Sequence, residues 1–367
     1  MRFTMSGFPA NHNALTIMEI AGLASLSEEV GFDRFGVTDY PFHHDCVAVM
    51  TACLLQTERL QVESLVTTPY HRPPDATACA WATMDDISPG RVILGLGRGV
   101  PSTQLWSAAL DGVGPVDAMD DVIRVCREMW AGEVPKEVHL PVAGLKLDLP
   151  VAAPLPILIA ARGPQMLRLA AEQSEIVHLA LPFLGPNFTN ASIAWVRRCA
   201  EEAGRDPDDV EIDLTVAWSV LRDGRLARDL SKLLALTTII LAADVWRTAG
   251  ATFGLQPEAW ADDFPVSPEV LEAVRRLWEG APERRTSGIP DEIADLITDD
   301  VLAAVGIAGE PDEAFTQLVE FVPKVPGLTG IRYKLPPLPG PESRAQFEEM
   351  IVHAGQASDL IRSGEPV

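Results

Sequence analysis

Short apolar runs that stop abruptly at polar or glycine residues recur along this chain, and between them apolar residues return at helical spacing. Phe3 to Phe8 predicts a first strand, and Leu15 to Val30 a helix with Ile17, Ile20, Ala21 and Ala24 on one face. Three segments then repeat one plan, an apolar strand closed by polar or glycine residues: Arg34 to Tyr40 (RFGVTDY), Leu60 to Tyr70 (LQVESLVTTPY) and Arg91 to Gly99 (RVILGLGRG). A helix over Cys46 to Gln56 separates the first two. The proline-rich stretch Pro69 to Pro74 and a helix stopped at Ser88-Pro89-Gly90 separate the next two. Beyond them the pattern predicts a helix over Val116 to Trp130, a strand over Ile157 to Ala161, a helix over Pro164 to Gln173 and a strand over Ile176 to Leu181. Further strands fall within Val210 to Val220 and near Gly330 to Lys334, and a closing helix covers Ser343 to Ile361.

Strands that alternate with helices imply right-handed parallel crossovers. With polar and glycine residues gathered where consecutive strands end, the expected fold class is α/β, a (β/α)8 TIM barrel with its chemistry at the carboxyl ends of the strands. Two stretches break the rhythm. Short alternating segments in Glu137 to Leu149 predict a β-hairpin insertion over residues 137–148, and the acidic, proline-dotted Trp246 to Thr298 reads as a helical insertion over one end of the barrel. The 367 residues, 47% of them hydrophobic, suit one such domain over 1–367.

Charge narrows the partners. Lys and Arg number 29 against 52 Asp and Glu, a formal net charge of -23 that opposes nucleic acid and anionic membranes alike. The five cysteines (Cys46, Cys53, Cys79, Cys126, Cys199) contain no CxxC pair, so neither a disulfide framework nor a zinc site is expected, and no metal. MRFTMSGFPANH lacks the apolar core of a signal peptide, and the longest apolar run, Leu233 to Ala243, is too short to span a bilayer. The expectation is a soluble cytoplasmic protein, with a small-molecule substrate and a homodimer as the expected assembly.

Two loops carry legible chemistry. In Pro154 to Met166 a buried strand runs into Ala161-Arg162-Gly163, and Pro164 suits the first turn of a helix. The amides of Gln165 and Met166 are then donors at the positive end of a helix dipole, which together with Arg162 suits a phosphate, although a plain strand-to-helix turn has the same sequence. The run Gly95-Leu96-Gly97-Arg98-Gly99 has Val100 where a dinucleotide fingerprint needs its third glycine, and Pro101 follows, so a Rossmann site is excluded. Either close packing of the strand against a neighbour or contact with a cofactor accounts for these glycines.

VTDYPFHHD after the second strand, VTTPYHRPPDATACAWATMDDISPGRVILGLGRG across the third and fourth units, and PILIAARGPQMLRLAAEQSEIVHLAL across the fifth and sixth together resemble the bacterial-luciferase-like superfamily. Within it the chain is most similar to the branch that uses the deazaflavin coenzyme F420, including methylenetetrahydromethanopterin reductase, and AVGIAGEPDEAFTQLVE (Ala304 to Glu320) extends the likeness. The resemblance implies a deazaflavin lying across the carboxyl ends of the strands. By position, Asp39 matches an aspartate that hydrogen-bonds the ring side of the cofactor, with a helix N-cap as its other reading. Leu65 and Val66 fall where the family carries a non-prolyl cis peptide against the ring. Thr68, Arg98, Gly99 and Thr103 match cofactor contacts, and Arg162, Gly163, Gln165 and Met166 the segment that holds the cofactor phosphate.

Two departures are visible. Tyr40 replaces the histidine that usually follows the aspartate, and Val100 replaces the acidic residue of sugar-phosphate-oxidising members, so glucose 6-phosphate oxidation is not expected. Proton donors available near the mouth are Tyr40, His43, His44, Tyr70 and His71, of which Tyr40, His43 and His44 are the catalytic candidates. Asp45 either charges a helix start or orients His44. The implied activity is hydride transfer between F420 and a small organic substrate, in the reductive direction. A reduced-FMN monooxygenase, or a flavin-binding barrel without turnover, are the alternatives.

Overall fold

The computed structural model describes residues 1–8, 15–40, 43–99, 112–149, 151–181, 183–264, 266–280, 294–338 and 342–364. Eight parallel strands close into a barrel: β1 (Arg2–Phe8), β2 (Arg34–Val37), β3 (Gln61–Ser64), β4 (Val92–Gly97), β5 (Ile157–Ala161), β6 (Ile176–Leu179), β7 (Glu211–Val220) and, after a short strand β8 (Ile307–Gly309), β9 (Gly330–Lys334). β6 pairs with β7, and β9 bridges β7 and β1, so no barrel edge is left open. β8 stands outside the ring, paired to Trp218–Val220 at the far end of β7, and no sequence period had signalled its three residues.

Around the barrel lie α1 (Ile17–Glu29), α2 (Cys46–Gln56), α3 (Pro74–Ile87), α4 (Pro115–Trp130), α5 (Pro164–Gln173) and α6 (Pro186–Glu202), then α11 (Pro311–Phe321) and α12 (Ser343–Ser363). Between β7 and β8 the chain makes a helical excursion through α7 (Gly224–Ala249), α8 (Pro257–Asp263), α9 (Pro268–Gly280) and α10 (Asp299–Val305). The excursion therefore starts at Gly224, well before the Trp246 expected from the acidic stretch. It packs a second, aromatic core on α6, with Phe183 and Phe264 centred 5.5 Å apart and Trp246 and Trp260 4.9 Å apart. Asp263 from this excursion accepts hydrogen bonds from the Asn187 and Phe188 amides (3.1 and 2.7 Å), capping α6, which has no side-chain cap of its own. The expected hairpin over 137–148 does not form. Residues 133–149 carry no strand; the segment is tied down instead by Asp121, which accepts from the Leu140 amide at 2.8 Å, and by Asp75, which accepts from the Ala143 amide at 2.7 Å. Among the described residues no helix is long and apolar enough to cross a membrane.

Strand parity sorts the barrel into two shells. Outward residues such as Met5, Phe35, Val62, Leu94, Ile159, Leu214 and Tyr333 join the helices in one large apolar core. Of the inward ones, Ile93, Leu158 and Ile176 form a small apolar cluster. The rest of the interior is ionic: Arg332 donates to Glu63 and to Asp213 (2.5 Å), Asp213 faces His178 Nδ1 at 2.5 Å, and Thr215 Oγ1 lies 3.0 Å from His178 Nε2. Nearer the amino ends of the strands, Arg34 pairs with Glu211 at 2.8 Å. Apolar strand runs conceal this network, since its members are isolated charges in otherwise hydrophobic segments.

Candidate active site

The carboxyl ends of β2 and β3 meet through Asp39. Its Oδ2 accepts from Thr67 Oγ1 (2.6 Å) and Arg72 Nη1 (2.7 Å) and lies 3.1 Å from His71 Nδ1, while its side chain is only 8% exposed. Burial by itself raises the Asp39 carboxyl, but the hydrogen bonds from His71 and Thr67 and the charge of Arg72 outweigh it and hold the group at about 2. A carboxylate depressed in the folded state stabilises it above the unfolded value of 3.8, and that contribution is lost as pH falls through about 2. Asp39→Asn should therefore cost about 2 kcal/mol at neutral pH, and the difference from the parent should close as urea unfolding is repeated down to pH 2. A difference independent of pH would mean that packing, and not charge, holds Asp39.

Asp39 does not cap a helix. That role belongs to Asp45, which accepts from the Val47 and Ala48 amides (2.9 and 3.3 Å) and takes a second ion pair from Arg72 at 2.6 Å. Asp45 is not bonded to His44, whose exposed ring places Nε2 3.2 Å from the Leu15 carbonyl. Tyr40 and His43 are half-buried, with ring centroids 5.5 Å apart. Thr68 is buried, and its hydroxyl accepts from the Tyr70 amide at 3.0 Å.

The Leu65–Val66 peptide bond is cis, at the place the resemblance indicated. The chain at and just beyond the end of β3 explains the glycines of β4. A Cβ on Gly95 would sit 1.8 Å from the Ser64 carbonyl oxygen, and one on Gly97 would sit 2.5 Å from Val66 Cγ2. Both positions are glycine because Ser64 and Val66 press on them, the packing reading of the run. Gly99, with φ +79°, turns the chain beyond β4 and leaves Arg98 exposed.

At the end of β5, Gly163 precedes α5 with no side-chain cap on the helix, so the first-turn amides of Gln165 and Met166 lie at a bare N-terminus. A Cβ on Gly163 would meet nothing within 4 Å, so there is room beside this turn. Arg162 is half-buried and donates from Nε to the Ala180 carbonyl at 2.7 Å; burial and then Arg98 lower its guanidinium to about 10. Among the described residues neither Arg162 nor Arg98 has a carboxylate within 4.0 Å. Free amides, uncompensated cations and open space fit an anionic group on a ligand.

The structure thus brings Asp39, Tyr40, His43, Leu65, Val66, Thr68, Arg98, Gly99, Arg162, Gly163, Gln165 and Met166 to one end of the barrel. Thr103 lies outside the described residues. Sequence reasoning missed Thr67 and Arg72, which hold Asp39, and Lys334 at the end of β9. Only the last had a readable signal, a lysine closing a strand two residues after an arginine. Among the described residues no group of three or more His, Cys, Asp or Glu side chains could hold a metal ion.

The chain has relatives along most of its length. It is 26% identical over 308 residues to 5,10-methylenetetrahydromethanopterin reductase of Methanolobus tindarius, covering 83% of this chain and 87% of the relative. It is 28% identical over 310 residues to F420-dependent glucose-6-phosphate dehydrogenase of Mycolicibacterium gilvum, covering 80% and 87%. Coenzyme F420-dependent tetrahydromethanopterin reductase from Methanopyrus kandleri superposes with a TM-score of 0.78 at 21% identity, covering 97% of each chain, and so shares the fold. The model of the luciferase-like monooxygenase family matches residues 1–324, and the chain is a member of that family.

Proposed function

We propose that this protein is an oxidoreductase that uses the deazaflavin coenzyme F420 to move a hydride to or from a small organic substrate. The observation that carries this reading is the bare, cationic turn at Arg162 and Gly163, a cradle for a ligand phosphate in a chain whose net charge is -23. The F420-dependent relatives, each spanning four-fifths or more of the chain, support the choice of ligand.

When bound, the deazaflavin supplies the hydride chemistry. The protein binds and orients. Arg162 and the amides after Gly163 hold the phosphate, with Gln165 and Met166 forming the first turn behind it. The Leu65–Val66 bulge backs the ring, Asp39 meets its polar side, and Thr68, Arg98 and Gly99 line the remainder. Tyr40 donates a proton or hydrogen bond to the substrate, with His43 beside it; a phenol is a donor and a poor base near neutral pH, which favours reduction. His44 places Nε2 3.2 Å from the Leu15 carbonyl.

Titrating the purified protein with the deazaflavin and separately with FMN, by fluorescence quenching, tests the reading. The deazaflavin should bind at least about tenfold more tightly, about 1.4 kcal/mol. Tighter FMN binding would make the protein a reduced-flavin monooxygenase instead, and binding of neither would remove the cofactor from this barrel.

A further inference from the structure

Lys334 ends β9, half-buried, on the face of the strand that turns into the barrel. Arg332, two residues earlier, reaches Glu63 and Asp213 inside the barrel, and strand parity puts Lys334 on the same inward side, one layer nearer the mouth. In register it stands level with Ser6 on β1 and Ala217 on β7, neither of them charged. β9 lies three strands round the barrel from β5, whose own inward parity, through Leu158 and Ala160, leads to Arg162. Cations therefore enter the mouth from different strands of the barrel.

The carboxylates described around them are paired with other groups. Asp39 is held by Thr67, His71 and Arg72, and Glu63 and Asp213 by Arg332 and His178. Among the described residues Lys334 has no carboxylate within 4.0 Å. Burial, and then the charge of Arg162, push its ammonium down to about 8, consistent with a cation that is neither paired nor well hydrated. Such a group costs the fold stability unless an anion from outside completes it.

We propose that Lys334 anchors an anionic oxygen group, carboxylate or phosphate, on the organic substrate. The assignment to the substrate rests on the proposed cofactor reading, in which the turn at Gly163 is taken by the cofactor phosphate and the cation on β9 is left for a second anion. The site then selects substrates that carry a carboxylate or phosphate near the reacting carbon over neutral ones.

Calorimetric titration of malonate and of inorganic phosphate into the protein, with and without saturating deazaflavin, tests this with Lys334→Met and Lys334→Arg. Wild type loaded with deazaflavin should bind at least one probe. Lys334→Met should weaken that binding about tenfold or more and leave deazaflavin affinity within about twofold, while Lys334→Arg retains the probe. Without anion, the thermal midpoint of Lys334→Met should rise, because an unpaired, half-buried charge has been removed. A fall in that midpoint would make Lys334 a structural partner and overturn the proposal. So would equal probe binding by wild type and Lys334→Met, absence of probe binding to wild type, or a tenfold loss of deazaflavin affinity in Lys334→Met, which would assign the lysine to the cofactor. If wild type binds no deazaflavin, the cofactor reading fails alone, and probe titration of the unloaded variants still decides the role of Lys334.

Discussion

Arg332→Met should destabilise the protein by about 3–5 kcal/mol. Arg332 is fully buried, and its guanidinium is the charge that holds both Glu63 and Asp213 inside the barrel. Methionine fills much of the same volume, so the loss is electrostatic: two buried carboxylates lose the cation between them, and desolvation makes each charge expensive. The midpoint of urea unfolding should drop accordingly. Adding Glu63→Gln and Asp213→Asn to Arg332→Met should restore part of the stability, since replacing all members of a buried network costs less than orphaning some. A variant within about 1 kcal/mol of the parent at neutral pH would show that the network is energetically idle.

Gly163→Asp should separate folding from binding by moving them in opposite directions. The backbone there has φ −92° and a Cβ would meet nothing within 4 Å, so aspartate is accommodated without strain. Gly163 is also the N-cap of α5, where aspartate is among the preferred residues, so thermal stability should hold or rise slightly. The same carboxylate would occupy the anion cradle beside Arg162. Like-charge repulsion and loss of the open amides should weaken deazaflavin binding by about 10²-fold, about 2.7 kcal/mol. Undiminished affinity in the well-folded variant would move the phosphate site elsewhere.

The barrel, its eight strand positions and the helix start after β5 are legible in the sequence, because each rests on local pattern. Apolar runs closed by polar residues mark strand ends, and Arg162-Gly163-Pro164 describes a helix start in its own residues. The tertiary structure decided what depends on partners distant in sequence. Asp39 and Asp45 are both aspartates near a helix start; only the fold gives Asp45 the cap and Asp39 the company of Thr67, His71 and Arg72. The glycines of β4 admit two readings in sequence, and the approach of Ser64 and Val66 supplies the packing one. Residues 137–148 alternate like a hairpin, yet their amides are drawn to Asp121 and Asp75 rather than to each other. Arg332 and Lys334 look alike along the chain, separated by one tyrosine. Closure of the barrel supplies two carboxylates to the first and, among the described residues, none to the second, because electrostatic compensation depends on neighbours in space that no sequence period records.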